Sequence, residues 1–321
     1  MIYKMTDLEK SILATLAYYD IFDRPLTDWE IFRYLILDIK GQMFKPNNIK
    51  FIDILNNLDY SKELEEKTGQ KNGFYFLKKR DMLVEERIER QKISDQKWKK
   101  VKRFGKFLQM IPYIRLAAVS GSLAMNHCRK ESDFDLLIIA KAGRIWTCRT
   151  FTTVFFQIIG QRRHHKYTKD RFCLNHYITD QSLESFERTL MNAQVYKRLV
   201  PIIDIANLTN KIQKSNLWIK NYLFFYPVFW QGYLKKIKKS RFLNQIRQIR
   251  EIFLDNRFGN WLENFFKQIQ IKRIKKNPMT YMSGGRVIYD DRQLEFHPEL
   301  PGKKNIKKYN QKLIELGLKD S

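Results

Sequence analysis

Residues 119–140 read VSGSLAMNHCRKESDFDLLIIA, and this stretch decides the fold of the chain. The pattern predicts a short apolar strand, a glycine–serine turn, a brief helix and a second strand that opens with two aspartates one residue apart. Asp133 and Asp135 should project from one face of the second strand, because side chains alternate along a strand with a period of two. Phe134 and Leu136 should then project from the other face.

The two aspartates predict a metal site. Neighbouring carboxylates at the head of a buried strand repel each other and lose solvation. A hard divalent cation relieves both costs, and Mg²⁺ prefers oxygen ligands together with substrate phosphates. The turn at Gly121 and Ser122 offers backbone N–H groups and a hydroxyl to a phosphate. Residues 119–140 therefore predict a metal-dependent site for a nucleoside triphosphate.

The charge of the chain predicts a polyanionic partner. Its 321 residues include 60 basic and 34 acidic side chains, which gives a net charge of +26. Nucleic acid or nucleotide phosphates are the simplest partners for such a surface. An AT-rich genome that favours lysine codons is the alternative explanation. With 44% hydrophobic residues, the chain has enough apolar material for two or three folded domains.

Cysteine usage and hydropathy predict a cytoplasmic protein with no membrane segment. The cysteines, Cys128, Cys148 and Cys173, are odd in number and widely spaced, which argues against a disulfide framework. A zinc site is not expected, because Cys173 and His176 should lie on opposite faces of one strand. The N-terminus lacks the apolar core of a signal peptide, and the apolar run at 222–230 is too short to span a bilayer.

Element order predicts an α+β fold. Helical patterns followed by a β-hairpin turn give the first part the order of a winged helix-turn-helix. A mainly helical and basic region follows the central module. The predicted parts are a winged-helix domain (1–80), a helical connector (81–111), a central core (112–182), a basic helical region (183–276) and a tail with short strands and a helix (277–321).

One motif in the central core resembles a known family. Gly121-Ser122, ten intervening residues and then Asp133-Phe134-Asp135 resemble the signature of the DNA polymerase β-like nucleotidyltransferase superfamily. The resemblance implies that residues 112–182 form a small mixed-sheet nucleotidyltransferase core. The whole layout is similar to bacterial proteins that join an N-terminal winged helix to this catalytic domain. The resemblance implies that Asp133 and Asp135 hold Mg²⁺ or Mn²⁺. It also implies that Gly121, Ser122 and Ser132, the residue before Asp133, contact the triphosphate.

The chain departs from the superfamily pattern at one position. Many members add a third carboxylate from a neighbouring strand, whereas the segment at 172–178 has Asn175 at the expected place. Asp170 and Asp180 flank that segment. Three alternatives stay open: a flanking aspartate serves as the third ligand, the site works with two carboxylates, or the enzyme is weakened or inactive.

Two basic segments are candidate contacts for phosphate or nucleic acid. Arg162, Arg163 and Lys166 lie in a loop that can grip the triphosphate or a nucleic-acid acceptor, and an exposed loop of no special role is the alternative. Aromatic residues are interleaved with basic ones between residues 230 and 276. They can form a stacking surface for nucleic acid, but aromatics at helical spacing are more often core, and we expect burial here.

The leading functional hypothesis is transfer of a nucleoside monophosphate from a nucleoside triphosphate to a hydroxyl of RNA, a protein or a small molecule. One alternative is a winged-helix regulator that binds nucleic acid and carries a degenerate nucleotidyltransferase domain. Another is the nucleotidyltransferase of a toxin–antitoxin or defence system. The sequence leaves open the base preference, the acceptor and the oligomeric state.

Overall fold

A computed structural model describes residues 5–39, 42–43, 48–164, 167–226, 235–283, 285–297 and 301–319. The helices among these residues are α1 (Asp7–Asp20), α2 (Asp28–Arg33), α3 (Phe51–Tyr60), α4 (Lys62–Lys67), α5 (Leu83–Gly105), α6 (Gly121–Ala124), α7 (Ile145–Ile158), α8 (Leu190–Arg198), α9 (Thr209–Ser215), α10 (Arg241–Leu254), α11 (Arg257–Lys276) and α12 (Pro301–Glu315). The strands are β1 (Leu26–Thr27), β2 (Asp38–Ile39), β3 (Gln42–Met43), β4 (Thr68–Lys71), β5 (Phe74–Leu77), β6 (Ile114–Val119), β7 (Phe134–Ala140), β8 (Phe172–Thr179), β9 (Val200–Asp204), β10 (Arg286–Tyr289) and β11 (Gln293–His297).

A six-stranded sheet forms the centre of the fold, in the order β10-β11-β8-β7-β6-β9. The pair β7 and β8 is parallel, and the other neighbouring strands are antiparallel. A smaller antiparallel sheet in the N-terminal region has the order β1-β5-β4. Helices and two such sheets confirm the predicted α+β class.

Each face of the large sheet packs on its own hydrophobic core. Leu137 and Ile139 of β7 face a core that includes residues of α1, α8, α9 and α12. Leu136 and Ile138 face the opposite core, which includes residues of α5, α7, α10 and α11. Burial on both faces explains why β7 reads as a continuous apolar run after its aspartates. The strand is thereby fixed between two packed layers.

The N-terminal and C-terminal ends of the chain meet on the first core. The Tyr18 ring of α1 packs edge-on against the Tyr309 ring of α12, with 5.5 Å between centroids. Lys312 forms an ion pair with Asp20 at 2.5 Å. The N-terminal helices and the C-terminal helix therefore share one core with the central sheet.

Several local expectations are corrected. The stretch from residue 183 to 276 is mainly helical as expected, but it also supplies β9, which pairs with β6 at the edge of the sheet. The third helix begins at Phe51. No helix among the described residues has both the length and the apolarity needed to cross a bilayer.

The aromatic residues of α10 and α11 are not the core residues that their spacing predicts. Five of them are exposed by 44% to 71%. We call this surface the basic aromatic face, defined by Phe242, Phe253, Phe258, Trp261 and Phe265.

The acidic residues between 241 and 276 bind groups of the central module. Glu251 accepts a hydrogen bond from the Tyr113 backbone and pairs with Arg115. Asp255, exposed just after α10, pairs with Lys141, and the buried Glu263 accepts the backbone N–H groups at the start of α7. Apart from the buried Arg247, the basic side chains of α10 and α11 are therefore left on the outward side.

Candidate functional site

The turn between β6 and α6 lies directly against the side chain of Asp135. Gly121 has a φ of +63°, and a Cβ atom built on it would lie 2.3 Å from Asp135 Oδ2. The preceding residue, Ser120, donates its backbone N–H to the Asp135 carbonyl at 3.0 Å. Glycine is needed here for both the left-handed conformation and the close approach. The turn and the carboxylate therefore form one unit.

The structure brings Asp133, Asp135 and Cys173 together. One ligand atom of each, two carboxylate oxygens and a thiol sulfur, lies within 4.8 Å of the others. Burial, and then the nearby charge of Asp133, raises the pKa of Asp135 to about 6. Burial, and then both aspartates, raises the pKa of the Cys173 thiol to about 12. The site therefore concentrates negative charge in a partly buried position.

Arg163 neutralises part of that charge. Its Nη1 donates to Asp133 Oδ2 at 2.7 Å and lies 3.5 Å from Cys173 Sγ. Backbone bonds between Arg163 and Phe172 fix the loop beside the start of β8. The guanidinium thus stands next to the carboxylate pair, within reach of any anion bound there.

Neither Asp170 nor Asp180, the aspartates that flank β8, lies beside Asp133 and Asp135. The Asp170 carboxylate is bonded to Lys97 and Lys100 of α5, at 2.7 Å and 2.6 Å. Asp180 lies at the opposite end of β8, roughly 20 Å from Cys173 at the usual rise of a strand, and accepts the Ala142 backbone N–H at 2.9 Å. Of the three alternatives for the third ligand, a flanking aspartate is thus not one that the structure brings beside the pair.

The residue beside Asp135 on the neighbouring strand is Cys173, not Asn175. Asp135 pairs with Cys173, while Leu137 pairs with His176, so β8 contains one extra residue in this interval. Such a bulge resets the alternation of side chains. Asn175 lies within the irregular interval. No sequence pattern signalled Cys173, because the register of two parallel strands is not encoded locally.

The same bulge corrects the expectation that Cys173 and His176 lie on opposite faces. Directly paired residues share a face, so both lie on the face of Asp135 and Leu137. Glu295 of β11 pairs with His176 and extends this polar row. His297 lies beyond it, with its ring centroid 6.4 Å from that of His176. Burial lowers the pKa of His176 to about 3, so its imidazole is neutral at physiological pH.

The remaining predicted residues divide between the site and its surroundings. Ser122 Oγ is 3.5 Å from the Cys128 sulfur, beside the turn. Ser132 Oγ accepts the Arg129 backbone N–H and closes the turn before β7. Arg162 projects away from the carboxylates and donates to Gln157 of α7 at 3.5 Å. Lys166 lies outside the described residues.

The donor atoms fit a divalent cation. Asp133 and Asp135 supply the oxygen ligands that Mg²⁺ and Mn²⁺ accept, and Gly121 leaves the space that a Cβ atom would fill. The Cys173 sulfur is a poor ligand for Mg²⁺, so water and substrate phosphates are expected to complete its coordination. The two aspartates are the residues that would hold the ion.

Comparison with known proteins does not assign this site to a family. The chain matches no protein-family model, no curated protein and no solved structure. The resemblance in residues 119–140 and the geometry around Asp135 are therefore the grounds on which a function is proposed.

Gly121→Ala should remove divalent cation binding. Its Cβ would displace the Asp135 carboxylate, and we expect at least a tenfold loss of Mn²⁺ affinity, measured by calorimetry. Gly143→Ala is the matched control, because Gly143 also has a positive φ, +72°, but a Cβ atom added there would meet no other atom within 4 Å. Both variants should lose about 1 kcal/mol of stability from the strained φ, and Gly121→Ala should lose more, because its Cβ also meets the Asp135 carboxylate. Equal Mn²⁺ affinity in the two variants would contradict the close approach.

Asp135→Asn should stabilise the protein in the absence of metal. The folded pKa of about 6 lies above the ordinary value of 3.8, so the wild-type chain loses stability as the pH rises from about 4 to 6. The asparagine variant lacks this loss, and the gain above pH 6 should be roughly 1–3 kcal/mol. Urea unfolding in EDTA at pH 4 and pH 7.5 measures it. Glu131→Gln, an exposed change nearby, should show no such gain; a less stable Asp135→Asn at pH 7.5 would refute the argument.

Proposed function

We propose that this protein is a metal-dependent nucleotidyltransferase, which moves a nucleoside monophosphate from a nucleoside triphosphate to a hydroxyl acceptor and releases pyrophosphate. The observation that carries the proposal is the convergence of Asp133 and Asp135 on the glycine turn at Gly121. The proposal also includes an N-terminal winged helix, a nucleoside triphosphate substrate and a divalent cation.

Each residue of the site has a role in this scheme. A divalent cation held by Asp133 and Asp135 would neutralise charge at the α-phosphate and lower the pKa of the attacking hydroxyl. Asp133 and Asp135 hold the ion, and the turn at Gly121 and Ser122 contacts the triphosphate. Arg163 lies close enough to Asp133 to exchange that partner for a phosphate oxygen as the substrate enters.

The proton of the acceptor hydroxyl passes to solvent in this proposal. The Cys173 thiol has a pKa of about 12 and is not a base at neutral pH. The pKa of about 6 for Asp135 is that of the metal-free site, and a carboxylate that holds a divalent cation is not free to accept a proton. A hydroxyl whose pKa the cation lowers would therefore lose its proton to water.

Nucleic acid is the acceptor that the surface favours. The basic aromatic face exposes Trp261, which stacks on Phe265 with 5.3 Å between ring centroids and 13° between planes. Residues 235–276 contain 13 basic and 3 acidic side chains, and each of the acids binds a group of the central module. Exposed aromatic rings among cations are typical of surfaces that stack single-stranded bases and bind the phosphate backbone.

We propose a winged helix for the N-terminal region. The order α1, β1, α2, α3, α4, β4, β5, interrupted by the short β2-β3 pair between α2 and α3, and the sheet order β1-β5-β4 support it. The runner-up function, a nucleic-acid-binding regulator with a degenerate catalytic domain, is favoured by one observation: the residue beside Asp135 on the neighbouring strand is Cys173 and not a carboxylate. A toxin–antitoxin or defence enzyme would use the same chemistry on a different target.

A transfer assay tests the proposal. Each radiolabelled nucleoside triphosphate is incubated with Mg²⁺ or Mn²⁺ and total RNA, and labelled product is followed on a gel. We expect transfer by the wild-type protein and a loss of at least 100-fold in Asp133→Ala and Asp135→Ala, because each substitution removes a charge-stabilising metal ligand. Trp261→Ala should weaken RNA binding and leave folding intact, because the side chain is exposed.

Glu131→Gln is the matched control for the loss of an acid, and it should retain transfer. Equal transfer by the wild type and both alanine variants would reject the catalytic assignment. No transfer, together with salt-sensitive duplex DNA binding that survives both substitutions, would support the regulator instead.

A further inference from the structure

A small cavity of about 130 Å³ lies between the N-terminal region and the end of α6. Arg24, Arg33 and Arg198 contribute to one wall, and residues 124–126 form another. The volume holds several water molecules, yet it is well below the 300 Å³ or so of a pocket for a drug-sized molecule. Its size therefore suits a small ion or a single chemical group.

The charges around the cavity are unbalanced. Glu30, which lines it, pairs with Arg24 at 2.6 Å and with Arg87 at 3.1 Å. Although burial alone would raise the pKa of Glu30, Arg24 and then Arg87 lower it to about 2. Arg33 and Arg198 add two further cations. Four guanidinium groups against one carboxylate leave a surplus of three positive charges.

Each of these four guanidinium groups has at least one buried nitrogen without a hydrogen-bond acceptor among the described residues. Arg24 Nε and Nη1, Arg33 Nε, Arg87 Nε and Arg198 Nη2 have no acceptor within the part of the chain that the structure describes. The side chains of Arg24 and Arg198 are more than nine-tenths buried. Arg198 is held in place by its Nε bond to the Tyr19 hydroxyl and by the Tyr34 ring, 3.6 Å from its Cζ. Buried charged donors without partners are costly, so a ligand that accepts these bonds would stabilise the fold.

We propose that this cavity binds a phosphate-sized dianion, as inorganic phosphate or as the terminal phosphomonoester of a larger ligand. A dianion offers oxygen acceptors to the unpaired guanidinium N–H groups and offsets most of the surplus charge. Ala124 in the wall is one helical turn from Gly121, about 5 Å along the axis. A phosphate bound in the cavity would therefore fix the C-terminal end of α6, the helix that begins at Gly121.

Calorimetry with inorganic phosphate, in EDTA and at constant ionic strength, tests the site. We expect saturable binding at one phosphate per chain, and a rise in Tm that chloride does not reproduce. Arg33→Gln should weaken binding about tenfold, because it removes one charged donor from the partly exposed rim. Arg241→Gln, an exposed change on α10, is the matched control and should bind as the wild type does.

Further variants distinguish phosphate binding in the cavity from metal binding at the aspartates, and from a purely structural role of the arginines. Asp135→Ala should bind phosphate unchanged, so failure of the transfer assay would not bear on the cavity. Arg198→Gln should abolish binding; should it fail to fold, Arg33→Gln still decides. An oligonucleotide with a 5′-phosphate that binds more tightly than its 5′-hydroxyl counterpart would identify a nucleic-acid end as the source. No measurable phosphate binding, or equal binding by Arg33→Gln and wild type, would overturn the proposal.

Discussion

The site depends on the close packing of Gly121 against the carboxylate of Asp135. Asp135 is fixed on both sides, because it pairs with Cys173 of β8 and its carbonyl accepts the Ser120 backbone N–H directly after β6. The turn after β6 must pass over that side chain, and only a residue without Cβ leaves enough room. The carboxylate is thereby held against backbone in a partly buried position, where burial and Asp133 oppose its ionisation. This position is unfavourable for an isolated carboxylate anion. It suits a carboxylate that binds a cation.

The basic groups around the site determine which acids are available to it. Lys97 and Lys100 engage Asp170, and Arg163 engages Asp133. Asp135 is different, because its neighbour is the Cys173 thiol rather than a cation. A lysine pair that holds Asp170 in the turn before β8 also explains why a flanking acid does not replace the missing third carboxylate. The site is thus left with two carboxylates, those of Asp133 and Asp135. Asp133 is paired with Arg163, whose long side chain can move between acceptors.

The sequence predicts the parts of this site that depend on local chemistry. The glycine turn, the strand after it and the shared face of Asp133 and Asp135 follow from residue type and a period of two. The identity of the third neighbour does not, because it depends on the register of β8 against β7 and on a bulge of one residue. Nor does the place of β9, which joins the sheet as an edge strand from a mainly helical stretch. The cavity arginines come from α2, α8 and the loop before β1, which only the tertiary fold brings together.

The basic aromatic face shows why periodicity alone misjudged burial. Helical spacing of aromatic rings predicts one apolar stripe, and α10 and α11 do bury residues such as Leu254 and Ile274. The inward stripe, however, also carries Glu251 and Glu263, which bind backbone N–H groups of the central module. With those acids turned inward, the outward side is left with basic and aromatic residues together. Lysine-rich codon usage accounts for an excess of cations, but it does not expose stacked aromatic rings beside them. The arrangement of these residues, more than the net charge of +26, is what favours a nucleic-acid partner over compositional bias.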